Sequence, residues 1–289
     1  MQYLNQINPK DLEKFVRKLK YPTHCIHCEG IDENVKNPKH HPSYEVTHKC
    51  NLNCIFCYSK IAEIKGTIPK PGYYGDLDPK VITISQFGEP FYYGSELVAK
   101  IIDRLREIFG EVRIDVQTNG TLVDFDLIDG RVDVFMISLN AVSMEKYFKI
   151  TGSKNLSKVL ETVKKASNSN CKSIIRTVYM PGLNDDELIE IAKIASEVDE
   201  LFLQPLSIYK ENTELLKLID MNRVESLSEF LKVAYILSDF ADVRIPGCIL
   251  LNLRNLMKSY DFEDLMFLKR NPYGESPKIK RTWRFVLNL

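Results

Sequence analysis

Residues 44–58 read YEVTHKCNLNCIFCY, in which a short β-type run leads directly into a cysteine-rich loop. The cysteines are Cys50, Cys54 and Cys57, and their spacing is Cys-x3-Cys-x2-Cys. Cysteine thiolates are the usual ligands of iron–sulfur clusters, and four thiolates per cluster make the common closed arrangement. Three thiolates leave one iron of a four-iron cluster open, as a metal site must be if it is to bind a substrate or cofactor directly. The segment therefore predicts an open metal centre on a loop that follows a strand.

Outward from this loop, short β-type runs alternate with helix-period segments, a pattern typical of repeated βαβ units and a parallel sheet. Most of the candidate strands are rich in valine and isoleucine and nearly continuously apolar, as expected for strands covered by helices. They comprise residues 44–47, 81–84, 112–116, 132–139, 173–180 and 200–203. We predict an α/β protein with an incomplete (β/α)6 barrel, similar to part of a TIM barrel. Because the βα loops of such barrels gather at one rim, the cysteine loop is expected there.

The same pattern divides the chain into three regions. Residues 44–206 are predicted to form the core barrel. Residues 1–43 precede it as an N-terminal extension that carries a Cys-x2-Cys pair, and residues 207–289 follow it as a C-terminal extension. We expect the C-terminal extension to cover the barrel.

The composition limits which binding partners and which cellular compartment are expected. Apolar residues make up 44% of the 289 residues and charged residues 27%, which is ordinary for a folded protein with a full core. The formal net charge of zero argues against nucleic acid as a partner, and no apolar run is long enough to span a bilayer. The N-terminus lacks the layout of a signal peptide, and seven cysteines crowded toward one end do not suggest a secreted disulfide framework. These features predict a cytoplasmic, metal-binding or catalytic protein.

The motif of the cysteine loop resembles that of a known family. Cys-x3-Cys-x-aromatic-Cys, with Phe56 as the aromatic residue, resembles the cluster loop of the radical S-adenosylmethionine (radical SAM) enzymes. In that family S-adenosylmethionine chelates the fourth iron of a 4Fe-4S cluster and is cleaved to methionine and a 5′-deoxyadenosyl radical, which abstracts hydrogen from the substrate. The resemblance implies that Cys50, Cys54 and Cys57 bind this cluster and that Phe56 lies against the adenine of the cofactor. It also implies an electron donor such as ferredoxin or flavodoxin.

The loop after the second predicted strand extends the resemblance. Residues 86–90, QFGEP, resemble the family's Gly-Gly-Glu-Pro loop, which holds the amino group of the cofactor. The resemblance implies that Gly88 and Glu89 bind S-adenosylmethionine, although Phe87 stands in place of the first glycine. Residues 118–120, TNG, match a motif common after the third strand, where a cofactor contact and a plain loop both stay open.

Two later strands carry further candidate residues. Residues 138–141, SLNA, resemble the family's Ser-Leu-Asp-Ala, which implies that Ser138 and Asn140 reach the ribose or methionine part of the cofactor. Arg176 lies in an apolar run, where an arginine must pair with an anion or extend its charge to the end of the strand. Under the resemblance its partner is the carboxylate of the cofactor, which a guanidinium matches in a bidentate pair. The alternative is a salt bridge to a neighbouring strand.

A second cysteine motif gives a rival interpretation. Cys25 and Cys28 could combine with Cys54 and Cys57 into a four-thiolate zinc site, but Cys50 would then have no role. Otherwise Cys25 and Cys28 are free for a second metal, either zinc or an auxiliary cluster, with Cys248 or nearby histidines as further ligands. Both this second metal and its absence stay open.

Two other function classes stay open beside a radical SAM enzyme acting on a peptide or small molecule. An RNA-modifying radical SAM enzyme would use the basic tail, residues 278–284, to contact phosphates. A non-enzymatic zinc or iron–sulfur module would bind metal without cleaving S-adenosylmethionine. The substrate itself is not identified by any motif.

Overall fold

The computed structural model of the chain describes residues 7–289, and in these residues one nine-stranded sheet packs against helices. Residues 1–6, on which the expectation about a signal peptide depends, lie outside the described residues. The strands are β1 Ser43–Glu45, β2 Gly72–Tyr74, β3 Val81–Ile84, β4 Arg113–Thr118, β5 Val134–Ser138, β6 Lys172–Tyr179, β7 Glu200–Pro205, β8 Val243–Arg244 and β9 Trp283–Phe285. The helices are α1 Pro9–Lys18, α2 Tyr58–Ile64, α3 Ser95–Phe109, α4 Met144–Thr151, α5 Leu156–Ser167, α6 Leu188–Ala195, α7 Thr213–Leu218, α8 Met221–Glu225, α9 Leu227–Leu237, α10 Gly247–Leu256 and α11 Phe262–Leu265. No helix of the described part is both long and apolar enough to cross a membrane.

The strand order is β8-β7-β6-β5-β4-β3-β1-β2-β9. Strands β1 and β3 to β8 are parallel, whereas β2 and β9 form an antiparallel edge. The predicted strands correspond to β1 and β3 to β7, which confirms a mixed α/β fold built around a parallel sheet. Strands β2 and β9 were not predicted, because each has only three residues and is too short to show a period.

The predicted strand–helix alternation is interrupted once. Between β4 and β5 the chain has only the three-residue 3-10 helix Phe125–Leu127, where the pattern predicted a full helix. The other crossovers between neighbouring parallel strands of the core carry α2, α3, α4 with α5, and α6. The sheet therefore has the strands of the predicted architecture but not an exact sixfold repeat.

The two faces of the parallel strands are different, because successive side chains of a strand point to opposite faces. On one face isoleucines and valines such as Ile82, Ile114 and Ile175 belong to the large core shared with the helices. On the other face only a small apolar cluster is present, formed by Val134, Met136, Ile174 and Phe202. The rest of this second face is polar, so it is the face available for binding.

The segment between α1 and β1 lies across the end at which the parallel strands begin. The backbone N–H of Thr23 donates to the carboxylate of Glu200, at the start of β7, over 3.0 Å. The His24 ring meets the Phe202 ring edge-on, with 4.4 Å between centroids. This end of the polar face is therefore covered by the N-terminal segment, and the opposite end faces the cysteine loop.

The basic tail folds back onto the antiparallel edge. Arg281 forms ion pairs with Glu29 and Asp76, at 2.8 and 2.6 Å, and its side chain is only 9% exposed. The Trp283 indole N–H donates to the carbonyl of Pro71, and β9 pairs with β2. Part of the charge that suggested a phosphate contact is thus used within the protein itself.

Candidate functional site

A cavity of about 270 Å³ lies where the parallel strands end. The cysteine loop forms one wall, and polar side chains from the ends of several strands form the others. Each residue proposed from the sequence as a cluster ligand or cofactor contact lines this cavity: Cys50, Cys54, Phe56, Cys57, Gly88, Glu89, Ser138, Asn140 and Arg176. Residues far apart in the chain are thus brought to one site, while their individual roles stay predictions.

The cysteine loop is held by helix α4. The backbone N–H groups of Asn53 and Ile55 donate to the carbonyls of Thr151 and Ile150, over 2.8 and 3.0 Å. These carbonyls are free to accept because the last C=O groups of a helix have no partner within the helix. The side chain of Asn212 also donates to the Ile55 carbonyl over 3.1 Å. Helix α4 and Asn212 therefore fix the backbone of the loop through hydrogen bonds.

Cys54 and Cys57 are partly buried and Cys50 is more exposed, and hydrogen-bond donors lie beside the Cys50 sulfur. The Cys50 Sγ accepts from the backbone N–H of Leu52 at 3.4 Å and from the Asn119 amide at 3.6 Å. Burial raises the pKa of Cys50 to about 11, and burial together with the neighbouring Cys57 and Cys50 also raises the pKa of Cys54. Because thiolates are the ligand form, metal binding at this loop has to release protons. The donors around Cys50 would then stabilise the negative charge on its sulfur.

Gly88 allows two loops to touch. Its φ is +67°, and a Cβ at this position would lie 2.3 Å from the Thr47 carbonyl oxygen and 2.8 Å from that of Lys49. The backbone N–H of Glu89 donates to the same Lys49 carbonyl over 2.9 Å. Only glycine permits both the left-handed conformation and the close approach. The QFGEP loop is therefore packed directly against the start of the cysteine loop.

Glu89 ties this loop to the next one. Its buried carboxylate accepts from the Thr118 hydroxyl at 2.6 Å, the Asn119 backbone N–H at 2.8 Å and the Phe91 backbone N–H at 3.3 Å. Burial raises the pKa of Glu89 to about 7, although these three hydrogen bonds act in the opposite direction. The TNG turn is thus hydrogen-bonded to Glu89. It has a structural role at the cavity, which could not be told from the sequence of the turn alone.

Phe87, which stands in place of the first glycine of the family motif, does not line the cavity. The Phe87 ring is buried and meets the Tyr58 ring edge-on, with 5.0 Å between centroids. Its backbone N–H donates to Glu45 over 3.0 Å, and that buried carboxylate also accepts from the Ser43 hydroxyl at 2.7 Å. Glu45 was missed from the sequence, although an acid within an apolar strand was a usable signal.

Arg176 lies in β6 with its positive charge at the cavity. Its Nη1 donates to the Gln117 amide oxygen over 2.6 Å, and within residues 7–289 no carboxylate forms an ion pair with it. The alternative of a salt bridge to a neighbouring strand is therefore not what the structure has. A partly buried arginine that has no counter-charge favours the binding of an anionic ligand.

Asn140 occupies the position at which the family motif has aspartate. Its amide oxygen accepts from the Val178 backbone N–H over 2.8 Å, and its backbone carbonyl accepts from the Asn184 amide. A carboxylate oxygen would accept the first hydrogen bond equally well. The substitution keeps the contact between β5 and β6 and removes one negative charge from the cavity.

Further polar residues also line the cavity; the sequence had left Thr118 and Asn119 open between a cofactor contact and a plain loop, and Gln204 open between lining a pocket and filling the core, and it had not indicated the others. They share a position at or just after the end of a parallel strand, which is the signal that could have found them. They are Ser85, Gln86, Gln117, Thr118, Asn119, Gln204 and Ser207. Tyr209 also lines the cavity, and Gly274 packs on its ring so closely that a Cβ there would lie 2.7 Å from it.

The second cysteine pair lies at the other end of the sheet. Cys25 follows Thr23 and His24, which contact the first half of β7, whereas Cys54 and Cys57 line the cavity together with Gln204 near the end of that strand. The rival four-thiolate zinc site would need both pairs at one place and is not what the structure shows. Within the described part of the chain, no three His, Cys, Asp or Glu side chains are already positioned to share one metal ion.

Comparisons with known proteins find similar sequences and a similar fold. A family model described as "Radical SAM superfamily" matches residues 44–195. An uncharacterized protein of Methanocaldococcus jannaschii is 39% identical over 291 residues, covering 97% of each chain. The GTP 3′,8-cyclase of Peptoclostridium acidaminophilum is 28% identical over 229 residues, covering 71% of this chain and 68% of the cyclase. The structure of methylornithine synthase is similar in fold, with a TM-score of 0.55 at 14% identity over 87% of this chain and 78% of the synthase.

Proposed function

Because the chain belongs to the radical SAM superfamily and is an enzyme, we propose that Cys50, Cys54 and Cys57 hold a 4Fe-4S cluster whose open iron binds S-adenosylmethionine. When bound, the cluster supplies the electron that cleaves this cofactor to methionine and a 5′-deoxyadenosyl radical, which takes a hydrogen atom from the substrate. The observation that carries the proposal is that three free thiols of one loop line the same cavity as the polar ends of β3 to β6.

The donor set of the loop fits such a group. Three thiols match the three irons that need a protein ligand, and no fourth cysteine lines the cavity among the described residues. The hydrogen bonds to the Cys50 Sγ are of the kind that tunes a thiolate ligand. The residues present are therefore sufficient for an open cluster and insufficient for a closed one.

The remaining residues would bind and orient S-adenosylmethionine. Arg176 would pair with its carboxylate, since it is the cavity-lining cation without an ion pair in the described residues. Gly88 and Glu89 would hold its amino group through backbone carbonyls and the carboxylate. Ser138 and Asn140 would contact its ribose or methionine part, and Phe56 its adenine.

The architecture supports this arrangement if the parallel strands form an incomplete (β/α)6 barrel with residues 44–206 as its core. Its polar face would enclose the cavity, with residues 7–43 covering one end and residues 207–289 contributing near the other. Ser207 and Tyr209, which line the cavity, and Asn212, which donates to the Ile55 carbonyl of the cysteine loop, support a covering role for the C-terminal region. An external reductant such as ferredoxin or flavodoxin would donate the electron.

The substrate is proposed to be a small molecule or a peptide. An RNA substrate has less support, because Arg281 and Trp283 of the basic tail are bonded within the fold. Similarity to a GTP 3′,8-cyclase makes nucleotides reasonable first compounds to test.

Reductive cleavage tests the proposal directly. The protein is reconstituted anaerobically with iron and sulfide and then given dithionite and S-adenosylmethionine. We expect 5′-deoxyadenosine to accumulate slowly without substrate and faster with the correct one. A protein that has taken up about four irons per chain yet forms no 5′-deoxyadenosine would contradict the proposal. A metal-binding module without catalysis predicts that outcome.

Replacement of Arg176 tests the carboxylate contact. We expect Arg176→Gln to raise the Kd for S-adenosylmethionine by about 10- to 100-fold, because a hydrogen bond to a charged group contributes about 1.5–3 kcal/mol. Equilibrium dialysis on the reconstituted protein measures the Kd. The matched control is Arg131→Gln, since Arg131 pairs with Asp103 on the surface and is 40% exposed. Equal affinities of the two variants would refute the assignment.

A further inference from the structure

Three cysteines that the proposed reaction does not use meet near the end of the sheet opposite to the cavity. Cys25 and Cys28 belong to the N-terminal segment, and Cys248 is the second residue of α10. Gly30 lies beside Cys28 and Cys248, and Gly247, the residue before Cys248, lies beside Cys25, so the three cysteines share one neighbourhood. All three are free.

Two glycines lie beside these cysteines. A Cβ on Gly247, the first residue of α10, would lie 2.4 Å from Ile31 and 3.3 Å from the Cys25 Sγ. A Cβ on Gly30 would lie 3.5 Å from the Cys248 Cβ and 3.6 Å from the Cys28 Sγ, which is ordinary contact distance. Gly247 therefore permits the close packing of α10 against the N-terminal segment, and Gly30 shows that Cys28 and Cys248 lie on either side of one residue.

The surroundings have features of a thiolate ligand site. The Gly30 backbone N–H donates to the Cys28 Sγ over 3.4 Å, two residues after the cysteine, as the Leu52 N–H does for Cys50 in the cavity. The His24 Nε2 lies 3.5 Å from the Cys25 Sγ, so a nitrogen donor is close.

The segment that carries Cys25 and Cys28 has little regular secondary structure to hold it in place. Residues 19–42 contain only two three-residue 3-10 helices, Thr23–Cys25 and Glu29–Ile31, and no helix or strand of ordinary length. Structureless connections of this length are uncommon within a compact domain unless they are functional. A metal that bridges this segment to α10 would fix it at little cost in buried apolar surface.

We propose that Cys25, Cys28 and Cys248 bind a second thiophilic metal centre, a zinc ion or an iron–sulfur cluster, that fastens the N-terminal segment to α10. The thiols are not yet positioned to share a single ion, and neither are Cys50, Cys54 and Cys57. In both groups, rotation of the side chains or the wider spacing of a cluster would complete the site. The centre is separate from the proposed cofactor cavity and does not depend on its chemistry.

Metal analysis of a variant without the cavity cysteines tests the proposal. The Cys50→Ala, Cys54→Ala, Cys57→Ala protein is reconstituted anaerobically with iron and sulfide, or loaded with zinc, and desalted. We expect it to retain about four irons with sulfide, or about one zinc, per chain. Adding Cys25→Ala and Cys28→Ala should remove this metal, whereas adding Cys171→Ala instead should leave it, since Cys171 lies before β6, outside both groups.

Each result decides the question. Retained iron and sulfide identifies a cluster, and retained zinc identifies a zinc ion. A folded triple variant that retains neither overturns the proposal. If the triple variant does not fold, the reconstituted unmodified protein is compared with Cys248→Ser. Loss of about four irons or one zinc per chain supports the site, and equal metal content overturns it.

Discussion

The Cys54→Ala variant is expected to form no detectable 5′-deoxyadenosine after anaerobic reconstitution. Cys54 is the middle thiol of the loop, and its neighbours Cys50 and Cys57 are the only other thiols that line the cavity among the described residues. Changes to groups that merely support metal ligands already cost 10- to 100-fold in affinity or activity. Loss of a ligand from an open cluster that has only three should therefore lower activity by more than about 100-fold.

The measurement combines iron content with product formation. Cys54→Ala should lose the iron bound at the cavity, and the proposed second centre should keep its own. Cys171→Ala is the matched control, because this partly buried cysteine hydrogen-bonds only with Ser169 and lies outside the cavity. If Cys54→Ala retained the cavity iron and the activity of Cys171→Ala, the ligand assignment would be wrong.

The Gly88→Ala variant is expected to lose both stability and cofactor binding. Alanine in the left-handed region costs about 1–2 kcal/mol, and the added methyl would meet the Thr47 carbonyl oxygen at 2.3 Å. The QFGEP loop or the start of the cysteine loop must then move by a large fraction of an ångström. Since a misplacement of about 1 Å can cost about 100-fold in rate, 5′-deoxyadenosine formation should fall by a similar factor.

The Gly66→Ala variant serves as a control, because it has the conformational cost of alanine at a positive φ without the steric clash expected at position 88. Gly66 has a φ of +64°, close to that of Gly88, and a Cβ there would meet nothing within 4 Å. We expect Gly66→Ala to lower the free energy of unfolding by about 1–2 kcal/mol with activity unchanged. Gly88→Ala should lose about 1–3 kcal/mol more from overpacking. Chemical denaturation and product assays measure both, and identical behaviour of the two variants would show that the close approach has no functional weight.

Several parts of the fold were accessible from the sequence because they depend on local patterns. The apolar runs of β3 and β6 have the composition of buried parallel strands, and strands at those positions are found. The edge strands β2 and β9 were missed, since three residues carry no periodic signal. The missing helix between β4 and β5 was also not foreseen, because the βαβ pattern was extended over a connection that the chain makes with a short 3-10 helix.

The cavity residues likewise divide into features that the sequence could indicate and contacts that only the folded sheet forms. Polar residues at the end of an apolar run, such as Ser138, or within one, such as Arg176, could be found one strand at a time. The bonds that connect them to other loops could not, because the Glu89 carboxylate finds Thr118 and Asn119 only once β3 and β4 are neighbours. The lack of an ion-pair partner for Arg176 in the described residues is likewise a property of the assembled sheet.

The spacing of Cys50, Cys54 and Cys57 was enough to indicate the family and the kind of centre, because the geometry of ligands on one short loop depends on covalent distance along the chain. The meeting of Cys25 and Cys28 with Cys248 could only be seen in three dimensions. It depends on how α10 packs against the N-terminal segment, and long-range packing is set by many side chains together rather than by any motif. The same holds for the cavity, whose walls come from five different strand ends and one loop.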